Sequence, residues 1–494
     1  MMSLDAWFDS AEAVPGAPGC HRATVGPDDW RRIAQDFAAG EGRLLALWAD
    51  GPEAPGPAMF AAYASVTGVL VAELRNLGAA ANPRYRGLQD LFPCAERMQR
   101  AARDLYGVSA VDGDPRPWLR HAPDGAYEFT RVEGDGVHEI PVGPVHAGII
   151  EPGHFRFSVV GEKVLRLEER LGYAHKGIER RFLDLDILDG HRLAARVSGD
   201  SAVAYSWAYV QALEGMCGAQ VSRRALCLRG LALELERIAN HLGDLGALGN
   251  DAGFAFGLSQ FSRLKELLLR EVGSAFGQRY LLDFIEPGGV RRDLDGNAGA
   301  RLDACLSAIA GEALALRDIY GEHAGLRDRF VGAGVVTPAL ARRLGLTGLA
   351  GRASGQAQDL RIDRPWAPYD TLKPAKCGAD AGDVAARVAV RFDELSESCR
   401  LCRWMIEELP AGDTAAPVSR PADGAFGIGL IEAWRGPVLV ALAAGPGGRI
   451  RRCHPHDPSW QNWPVLEHAI IDNIVPDFPL INKSFNLSYS GHDL

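Results

Sequence analysis

Residues 223–249 read RRALCLRGLALELERIANHLGDLGALG, and their apolar spacing is the clearest indication of the fold of this 494-residue chain. Leu, Ile and Ala recur every three or four positions, which is typical of a long helix with one buried face. A second stretch of this kind, FSRLKELLLREVGSAFG, occupies residues 261–277. Long helical patterns dominate residues 178–321, so we predict that this part of the chain is mainly α-helical. Around residues 352–369 the pattern breaks, and loops are predicted there.

The segments on either side have a different character. Residues 1–125 are predicted to form a small α/β domain, with a strand at 66–71 and a helix that begins at Ala95 and ends at Gly107. The Gly-, Pro- and Asp-rich stretch DGDPRPWLRHAPDG indicates a linker at about residues 110–140.

Two strand-like segments flank the helical region of the second predicted domain, residues 140–494. FRFSVVGEKVLRLEERLGY, at 155–173, predicts two strands joined by a turn at GEK, and GIGLIEAWRGPVLVALAAG, at 427–445, follows a final helix that carries Cys399. The predicted fold class is therefore α+β. A small N-terminal α/β domain precedes a mainly α domain with a small antiparallel β region.

Charge and hydropathy limit the partners. The formal net charge of −10 and the pI near 5.8 argue against nucleic acid, because binding to phosphate needs a basic face. The longest strongly apolar uncharged run, residues 58–72, is too short to cross a bilayer, which takes about 20 residues. We expect a soluble chain, or one that lies on the surface of a membrane assembly.

The nine cysteines are scattered, which is typical of a reduced, cytosolic protein. Only Cys399 and Cys402 form a Cys-x-x-Cys pair. A structural zinc site needs a second pair or a set of histidines, and none follows at a suitable spacing. Since Leu395, Cys399, Cys402 and Ile406 recur at helical spacing, we predict that both thiols are buried in a helix core.

Several stretches together resemble one family. GPVHAGIIEPGHFRF, GYAHKGIERRF, ELERIANHLGDLG, EPGGVRRDL and GIGLIEAWRG occur in this order between Gly143 and Gly436. They resemble the large subunit of membrane-linked NiFe hydrogenases of the formate-hydrogenlyase type (group 4), and equally the homologous quinone-site subunit of respiratory complex I. The earlier stretches PRYRGLQDLFP, RDLYGV and GDPRPWLRH resemble the complex I peripheral-arm subunit that is fused ahead of the large subunit in the formate-hydrogenlyase enzymes.

The resemblance extends from about residue 40 to the end, and it implies an oxidoreductase subunit. The expected partners are an iron–sulfur small subunit, which would hold the iron–sulfur clusters, and antiporter-like membrane subunits. The expected location is peripheral, on the cytoplasmic side of the inner or plasma membrane.

The resemblance also marks four positions where the hydrogenases hold nickel and iron with thiolates. The first pair falls on RVSGDSAVAY (196–205), where Ser198 and Ser201 replace cysteines and Tyr205 replaces a frequent His. The second pair falls on SFNLSYSGHDL (484–494), where Ser488 and Gly491 stand instead. These are called the four ligand positions below. A Ser hydroxyl is a hard, weak donor and Gly offers none, so we predict no nickel–iron centre and no metal bound by this chain.

Complex I relatives also lack the thiols and use the vacated cavity for quinone. Their quinone contacts are a His on an early β-turn and a Tyr near the first lost cysteine. His146 matches that His, His154 lies near a second one in a displaced register, and the Tyr position falls on Gly199, with Tyr205 nearby. His146 and His154 are thus candidate quinone ligands, with Tyr205 as a substitute hydroxyl. The alternative for His146 is a loop His that satisfies backbone groups.

Three further residues are candidates for chemistry. Glu151 resembles a proton-relay glutamate of these hydrogenases, and a buried carboxylate of raised pKa suits that role, although a capping acid is the alternative. Asp200 is a new acid between Ser198 and Ser201 that can hold a proton or water. Arg435 matches an Arg that lies over the metal site in relatives, although an ion pair with Asp359 or Glu432 is equally open.

Two neighbouring residues have simpler interpretations. Trp434 replaces a usual Pro and is expected to fill emptied space. His241, on the long helix of residues 223–249, is expected to serve packing.

Three functions follow from these residues. The first is an altered subunit of a membrane-associated complex that passes electrons to quinone, or to another small oxidant, in the old cavity. The second is a non-catalytic scaffold. The third, a formate-linked hydrogenase, conflicts with the missing thiols. An open, polar cavity around His146, Glu151, Asp200 and Tyr205 favours the first function, and a cavity plugged by Trp434 favours the second.

Overall fold

The computed structural model describes residues 4–51, 56–78, 82–119, 127–146, 148 and 150–494. Its N-terminal elements are α1 (Leu4–Asp9), β1 (Glu12–Ala13), β2 (Cys20–Val25), α2 (Pro27–Ala39), β3 (Arg43–Asp50), β4 (Ala58–Ala64), β5 (Val69–Leu74), β6 (Arg84–Tyr85), α3 (Ala95–Tyr106) and β7 (Ser109–Ala110). Five of the strands form one sheet in the order β1-β2-β5-β4-β3, with β2 and β5 parallel and the other neighbours antiparallel.

The alternation of side chains divides this sheet between two cores, as the two-residue period of a strand dictates. Leu47 and Met59 belong to the core shared with α2 and α3. Trp48 and Phe60 point the other way and stack on each other with ring centroids 5.2 Å apart. Trp48 also stacks on His454 at 5.2 Å, which joins the N-terminal sheet to the second part of the chain.

The second part begins with a three-stranded antiparallel sheet in the order β10-β9-β8 and continues as helices. Its first elements are β8 (Val137–Val142), β9 (His154–Val160), β10 (Lys163–Arg170), α4 (Ile178–Phe182), α5 (Gly190–Ala194), α6 (Ala202–Cys217), α7 (Arg223–Asp251), α8 (Ala255–Phe276), β11 (Ile285–Glu286), β12 (Gly289–Val290) and α9 (Gly296–Glu322).

The remaining elements are α10 (Ala324–Phe330), α11 (Pro338–Leu344), α12 (Gly348–Arg352), α13 (Leu360–Asp363), α14 (Tyr369–Leu372), α15 (Val384–Glu407), β13 (Phe426–Ala433), β14 (Gly436–Ala444), β15 (Ile450–His456), α16 (Ser459–Ala469), α17 (Phe478–Phe485) and α18 (Tyr489–Asp493). Strands β13, β14 and β15 form an antiparallel sheet in that order.

Four long helices form a bundle in which α7 packs on α8 and α15, and α9 packs on the same two helices. Each start is set by a cap where the sequence provides one. Ser222, Asp295 and Asp383 accept backbone N–H bonds at the first turns of α7, α9 and α15. Helix α6 packs against β13 and β14. The functional region lies where these elements meet.

The α+β fold class is confirmed, and so is the helix that begins at Ala95 and ends before Gly107, whose φ of 72° is the left-handed C-cap conformation. Cys399 and Cys402 are buried on α15 as predicted, and burial raises the pKa of Cys399 to about 12. The predicted linker at about 110–140 and the domain boundary near 125 overlap residues 120–126, which lie outside the described residues.

Three sequence predictions need correction. The strand predicted at 66–71 is β5, Val69–Leu74, because Val66 lies fully exposed in the turn that follows β4. The region near 352–369, predicted as loops, contains the short helices α13 and α14. The helix that carries Cys399 is not the last one, since α16, α17 and α18 follow β15.

Candidate functional site

The four ligand positions meet in one place. Residues 198–201 lie just ahead of α6, and Ser488 is the N-cap of α18, where its Oγ accepts the Gly491 N–H at 2.9 Å. The hydroxyl oxygens of Ser198 and Ser488 are 2.9 Å apart. Two segments separated by about 290 residues are therefore hydrogen-bonded to each other.

At the fourth position, the space that a side chain would take is held by Asp457. A Cβ atom placed on Gly491 would lie 2.4 Å from Asp457 Oδ2 and 2.6 Å from its Cγ. Asp457 cannot easily move, because it accepts the Tyr205 hydroxyl at 2.7 Å and the Ser459 N–H at 2.8 Å. A carboxylate from the β15–α16 junction thus stands at the position of the last thiol, and the sequence argument missed it.

Asp200 and Arg435 form an ion pair beside these residues. Arg435 Nη1 donates to Asp200 Oδ1 at 2.9 Å, its Nη2 donates to Oδ2, and the Ser198 hydroxyl donates to Oδ1 at 2.7 Å. Burial acts to raise the pKa of Asp200, but Arg435 and Ser198 lower it overall, so the carboxyl is ionised. The turn between β13 and β14 places Arg435 there, since Ala433 pairs with Gly436 across it.

Arg435 thus forms an ion pair, as one alternative held, but its partner is Asp200 and not Asp359 or Glu432. Those two carboxylates are taken by other guanidinium groups, Asp359 by Arg361 at 2.6 Å and Glu432 by Arg352 at 2.8 Å. Arg435 reaches Asp200 instead because the hairpin turn directs it toward residues 198–201.

Trp434 closes one side of the site. It is 1% exposed, its indole N–H donates to the Asp200 carbonyl at 2.8 Å, and its ring lies under the Arg435 guanidinium at 4.1 Å. The ring of His241 meets Trp434 edge-on, and one His241 nitrogen bonds Glu394 at 3.0 Å. His241 thus has the packing position that was predicted, and Trp434 occupies space at the former cavity.

Tyr205 is completely buried on α6, and its hydroxyl donates to Asp457. Burial, followed by the charge of Asp457, raises the pKa of Tyr205 well above its ordinary value. The hydroxyl is therefore neutral, and it keeps its proton while donating a hydrogen bond to Asp457.

Glu151 does not lie where its predicted role requires. It is exposed in the β8–β9 connection and accepts the Ser490 N–H at 3.1 Å, together with the Ser490 hydroxyl. The expectation of a buried carboxylate is wrong, because this connection crosses the surface over α18. The contact agrees with the capping alternative, since Ser490 lies in the first turn of α18.

The two histidines of the same connection serve its backbone. His146 Nε2 donates to the Gly153 carbonyl at 2.8 Å, and His154 Nδ1 donates to the Gly143 carbonyl at 3.3 Å. Burial lowers the pKa of His154, so its ring is neutral. Within the described residues, no hydrogen bond or ring contact joins either histidine to Asp200 or Tyr205.

An open cleft of about 380 Å³ reaches the other side of Asp200. We call it the acceptor cleft. Its polar lining includes Gly199, Asp200, Glu236, Asn240 and Lys265, and its apolar lining includes Leu235, Ala239, Leu269, Val272 and Leu281. The cleft lies between α7, α8 and the segment that carries the first two ligand positions. None of the four ligand positions lines this cleft, which borders them through Gly199 and Asp200.

Glu236 is a second residue that sequence reasoning missed. It lies on α7, is 8% exposed, and accepts the N–H groups of Val203 and Ala204 at 2.8 and 3.3 Å. Burial raises its pKa to about 8 despite these two bonds. A Glu within the apolar spacing of LALELERIAN was the available signal, because a carboxyl on a buried stripe is rarely accidental.

Residues 251–423 match the family described as respiratory-chain NADH dehydrogenase, 49 kDa subunit. Formate hydrogenlyase subunit 5 of Escherichia coli (strain K12) is 31% identical over 447 residues, which cover 84% of this chain and 78% of that protein. This chain belongs to the family that unites hydrogenase large subunits of the formate-hydrogenlyase type with the complex I 49 kDa subunit.

Two further relatives extend the comparison within this hydrogenase and complex I family. The C/D component of NADH-quinone oxidoreductase from Bacteroides fragilis is 26% identical over 421 residues, covering 76% of this chain and 79% of the relative. A chain from the membrane-bound sulfane sulfur reductase, an archaeal respiratory membrane complex, has a TM-score of 0.69 and 22% identity, covering 73% of this chain and 99% of its own length. The latter match concerns the fold alone.

The residues at the four ligand positions do not fit the metal centre of the family's hydrogenase members. That centre needs four soft thiolates, whereas hydroxyls hydrogen-bonded to each other and a carboxylate from another segment occupy the space here. No group of three or more His, Cys, Asp or Glu side chains suited to a metal ion occurs within the described ranges. A search of the same residues finds no helix with the length and apolar character needed to span a bilayer.

Proposed function

We propose that this chain is a subunit of a membrane-associated electron-transfer complex of the hydrogenase and complex I type, that it holds no nickel–iron centre, and that it passes electrons to a quinone in the acceptor cleft. Electrons would arrive from iron–sulfur clusters in a partner small subunit, with antiporter-like subunits in the membrane. The chain would lie peripherally on the cytoplasmic side. The family relationship supports the first part of this proposal.

The observation that carries the proposal is the replacement of soft ligands by a hard, charged network beside an open cleft. Asp457 fills the Gly491 position, and the Asp200–Arg435 pair lies against Ser198. Carboxylate and hydroxyl groups are poor ligands for a nickel centre that requires thiolates. The hydroxyl and guanidinium groups of this network can donate hydrogen bonds to a reducible oxygen, and the ionised carboxylates hold those donors in place.

The acceptor cleft has the chemistry that a quinone ring requires. Its volume of about 380 Å³ falls within the usual range for ligand sites, roughly 300–1,000 Å³. Leu235, Leu269 and Leu281 provide apolar walls for a ring, and Asp200 and Glu236 provide polar atoms at one end. His146 and His154, the ligands that the resemblance implies, do not line it.

The experiment is an activity measurement on the native complex isolated from membranes. Oxidation of a reduced dye is followed with a quinone analogue as acceptor, and nickel is measured in the same preparation. Ala239→Phe, which narrows the cleft, is compared with His146→Ala and with His138→Ala, a control at an exposed position of β8. We expect substoichiometric nickel, quinone-dependent turnover, and loss of that turnover in Ala239→Phe alone.

Two other results would contradict this expectation. Turnover that is lost in His146→Ala but retained in Ala239→Phe would indicate that the quinone binds at the β8–β9 connection instead of the acceptor cleft. Stoichiometric nickel would refute the loss of the metal centre.

The second candidate, a scaffold subunit, is favoured by one observation. Trp434 is buried at the former cavity and is tied to Asp200 by its indole N–H, which closes that side. An intact wild-type complex without quinone-dependent turnover, and with unchanged assembly in Ala239→Phe, would support the scaffold.

A further inference from the structure

Glu236 is a buried acid that has no cationic partner in the part of the chain that the structure describes. Its two oxygens accept the N–H groups of Val203 and Ala204, at the first turn of α6. Among the described residues, no Arg, Lys or His lies within ion-pair distance of its carboxyl. Buried carboxylates normally have such a partner, so this one is better accommodated as the neutral acid.

The arginines around Glu236 are paired with other groups. Arg237 is bonded to Glu234 and to the Glu432 carbonyl, Arg435 holds Asp200, and Arg279 is paired with Glu266. Tyr280 and Lys265 complete the titratable groups of the cleft, and the Lys265 ammonium lies against Gly243, on α7.

Taken together, burial and the surrounding groups favour the neutral form of Glu236, although the N–H groups of Val203 and Ala204 favour the ionised form. The negative charge of Asp200 acts in the same direction as burial, and Arg237 acts weakly against both.

We propose that Glu236 is the proton donor to the ligand reduced in the acceptor cleft, which rests on the function proposed above. Glu236 and Asp200 line the same cleft, which is open to solvent. Asn240 links their backbones, since its amide N–H₂ donates to the Asp200 carbonyl at 2.8 Å and to the Glu236 carbonyl at 2.9 Å. Glu236 is therefore held at a fixed position relative to Asp200.

A quinone takes two electrons from the partner's iron–sulfur clusters and two protons, and becomes a hydroquinone. The O–H bond of Glu236 breaks as a new O–H bond forms on one quinone oxygen. The second proton comes from bulk solvent through water in the cleft, and a further proton from bulk solvent restores Glu236 by the same route, so that two solvent protons are consumed for each quinone reduced. General acid groups of this kind contribute about 10²- to 10⁴-fold to a rate.

The test uses the native complex with three variants. Glu236→Gln keeps the size of the side chain and removes the acid, whereas Glu236→Asp keeps an acid on a side chain that is one methylene shorter. Glu271→Gln is the control, because the Glu271 carboxylate on α8 pairs with Arg301 outside the cleft. Turnover is measured with a quinone analogue and with ferricyanide, which accepts electrons without protons. The pH profile, the solvent isotope effect and the infrared band of protonated carboxyl groups are recorded for each.

We expect Glu236→Gln to lower kcat with quinone by about 10²-fold or more, with KM nearly unchanged and ferricyanide turnover retained. The wild-type rate should fall as pH rises through about 8, and that limb should vanish in the variant. A protonated carboxyl band should be lost in Glu236→Gln, and Glu236→Asp should restore part of the rate.

Equal quinone turnover in wild type and Glu236→Gln would overturn this inference while leaving the proposed function intact. Equal losses with quinone and ferricyanide would also overturn it, because they would indicate a structural role. Absence of quinone turnover in the wild type would refute the proposed function itself, and this inference with it.

Discussion

Replacing Gly491 by Ala tests whether Asp457 has taken the place of the last thiol. The new Cβ would lie 2.4, 2.6 and 3.0 Å from the Oδ2, Cγ and Cβ atoms of Asp457, all well inside van der Waals contact. Asp457 is 1% exposed and is held by Tyr205 and Ser459, so it cannot swing away as an exposed side chain would. Overpacking of this kind costs about 1–3 kcal/mol.

The assay is urea unfolding of Gly491→Ala, Asp457→Ala and the double variant, followed by circular dichroism. Asp457→Ala alone should cost about 1–3 kcal/mol, because it leaves the buried Tyr205 hydroxyl unpaired. The double variant should be less destabilised than the sum of the two by at least about 1 kcal/mol, since the clash disappears with the carboxylate. A Gly491→Ala protein as stable as wild type, or strict additivity, would refute the assignment of this space to Asp457.

Three further outcomes are expected. Cysteines introduced at all four ligand positions should not yield stoichiometric nickel in the purified complex while Asp457 remains, and metal analysis with and without Asp457→Ala checks this. Arg435→Gln should lower the free energy of unfolding by about 1–3 kcal/mol, less than a fully buried pair because the Asp200 side chain is 37% exposed, and adding Asp200→Asn should recover part of the loss. The pKa of Glu236 is about 8 in the folded state, above the ordinary 4.5. The stability that its proton uptake contributes to the folded state is therefore complete below about pH 4.5 and is lost as the pH rises to about 8. Relative to wild type, the free energy of unfolding of Glu236→Gln should therefore rise by about 5 kcal/mol between these two pH values. Urea unfolding at several pH values measures this difference.

Local patterns in the sequence were enough to predict much of the fold. The α7 stretch and the helix that ends at Gly107 follow from apolar spacing and from a glycine C-cap, which are properties of neighbouring residues. The strand near residue 69 was displaced by three residues, because the β4–β5 hairpin turn contains the apolar residue Val66. An apolar residue in a turn has no local signal that separates it from the strand.

The site was predictable only in part. The meeting of Ser198 with Ser488 follows from the family resemblance, and Asp200 was identified as an acid in the old cavity. Asp457 was missed because its Asp-Pro-Ser context indicates a helix start, and it does bond Ser459 N–H in that way. Its other role, to occupy the space beside Gly491, depends on a contact with α18, which lies more than 30 residues further along the sequence. The exposure of Glu151 is likewise set by how a connection crosses another element.

The charges at the site support the proposal that it has no nickel–iron centre but still binds a ligand. Arg435 is 5% exposed, and a guanidinium so deeply buried requires a nearby anion. Thiolates supply negative charge in the hydrogenase members of the family, whereas the four ligand positions here are neutral, and Asp200 now provides the charge from between two of them. A cavity reduced to a scaffold could be filled by apolar side chains with equal or greater stability. An ion pair kept beside an open cleft that also contains Glu236 therefore supports the proposed function, in which a ligand would use those charges.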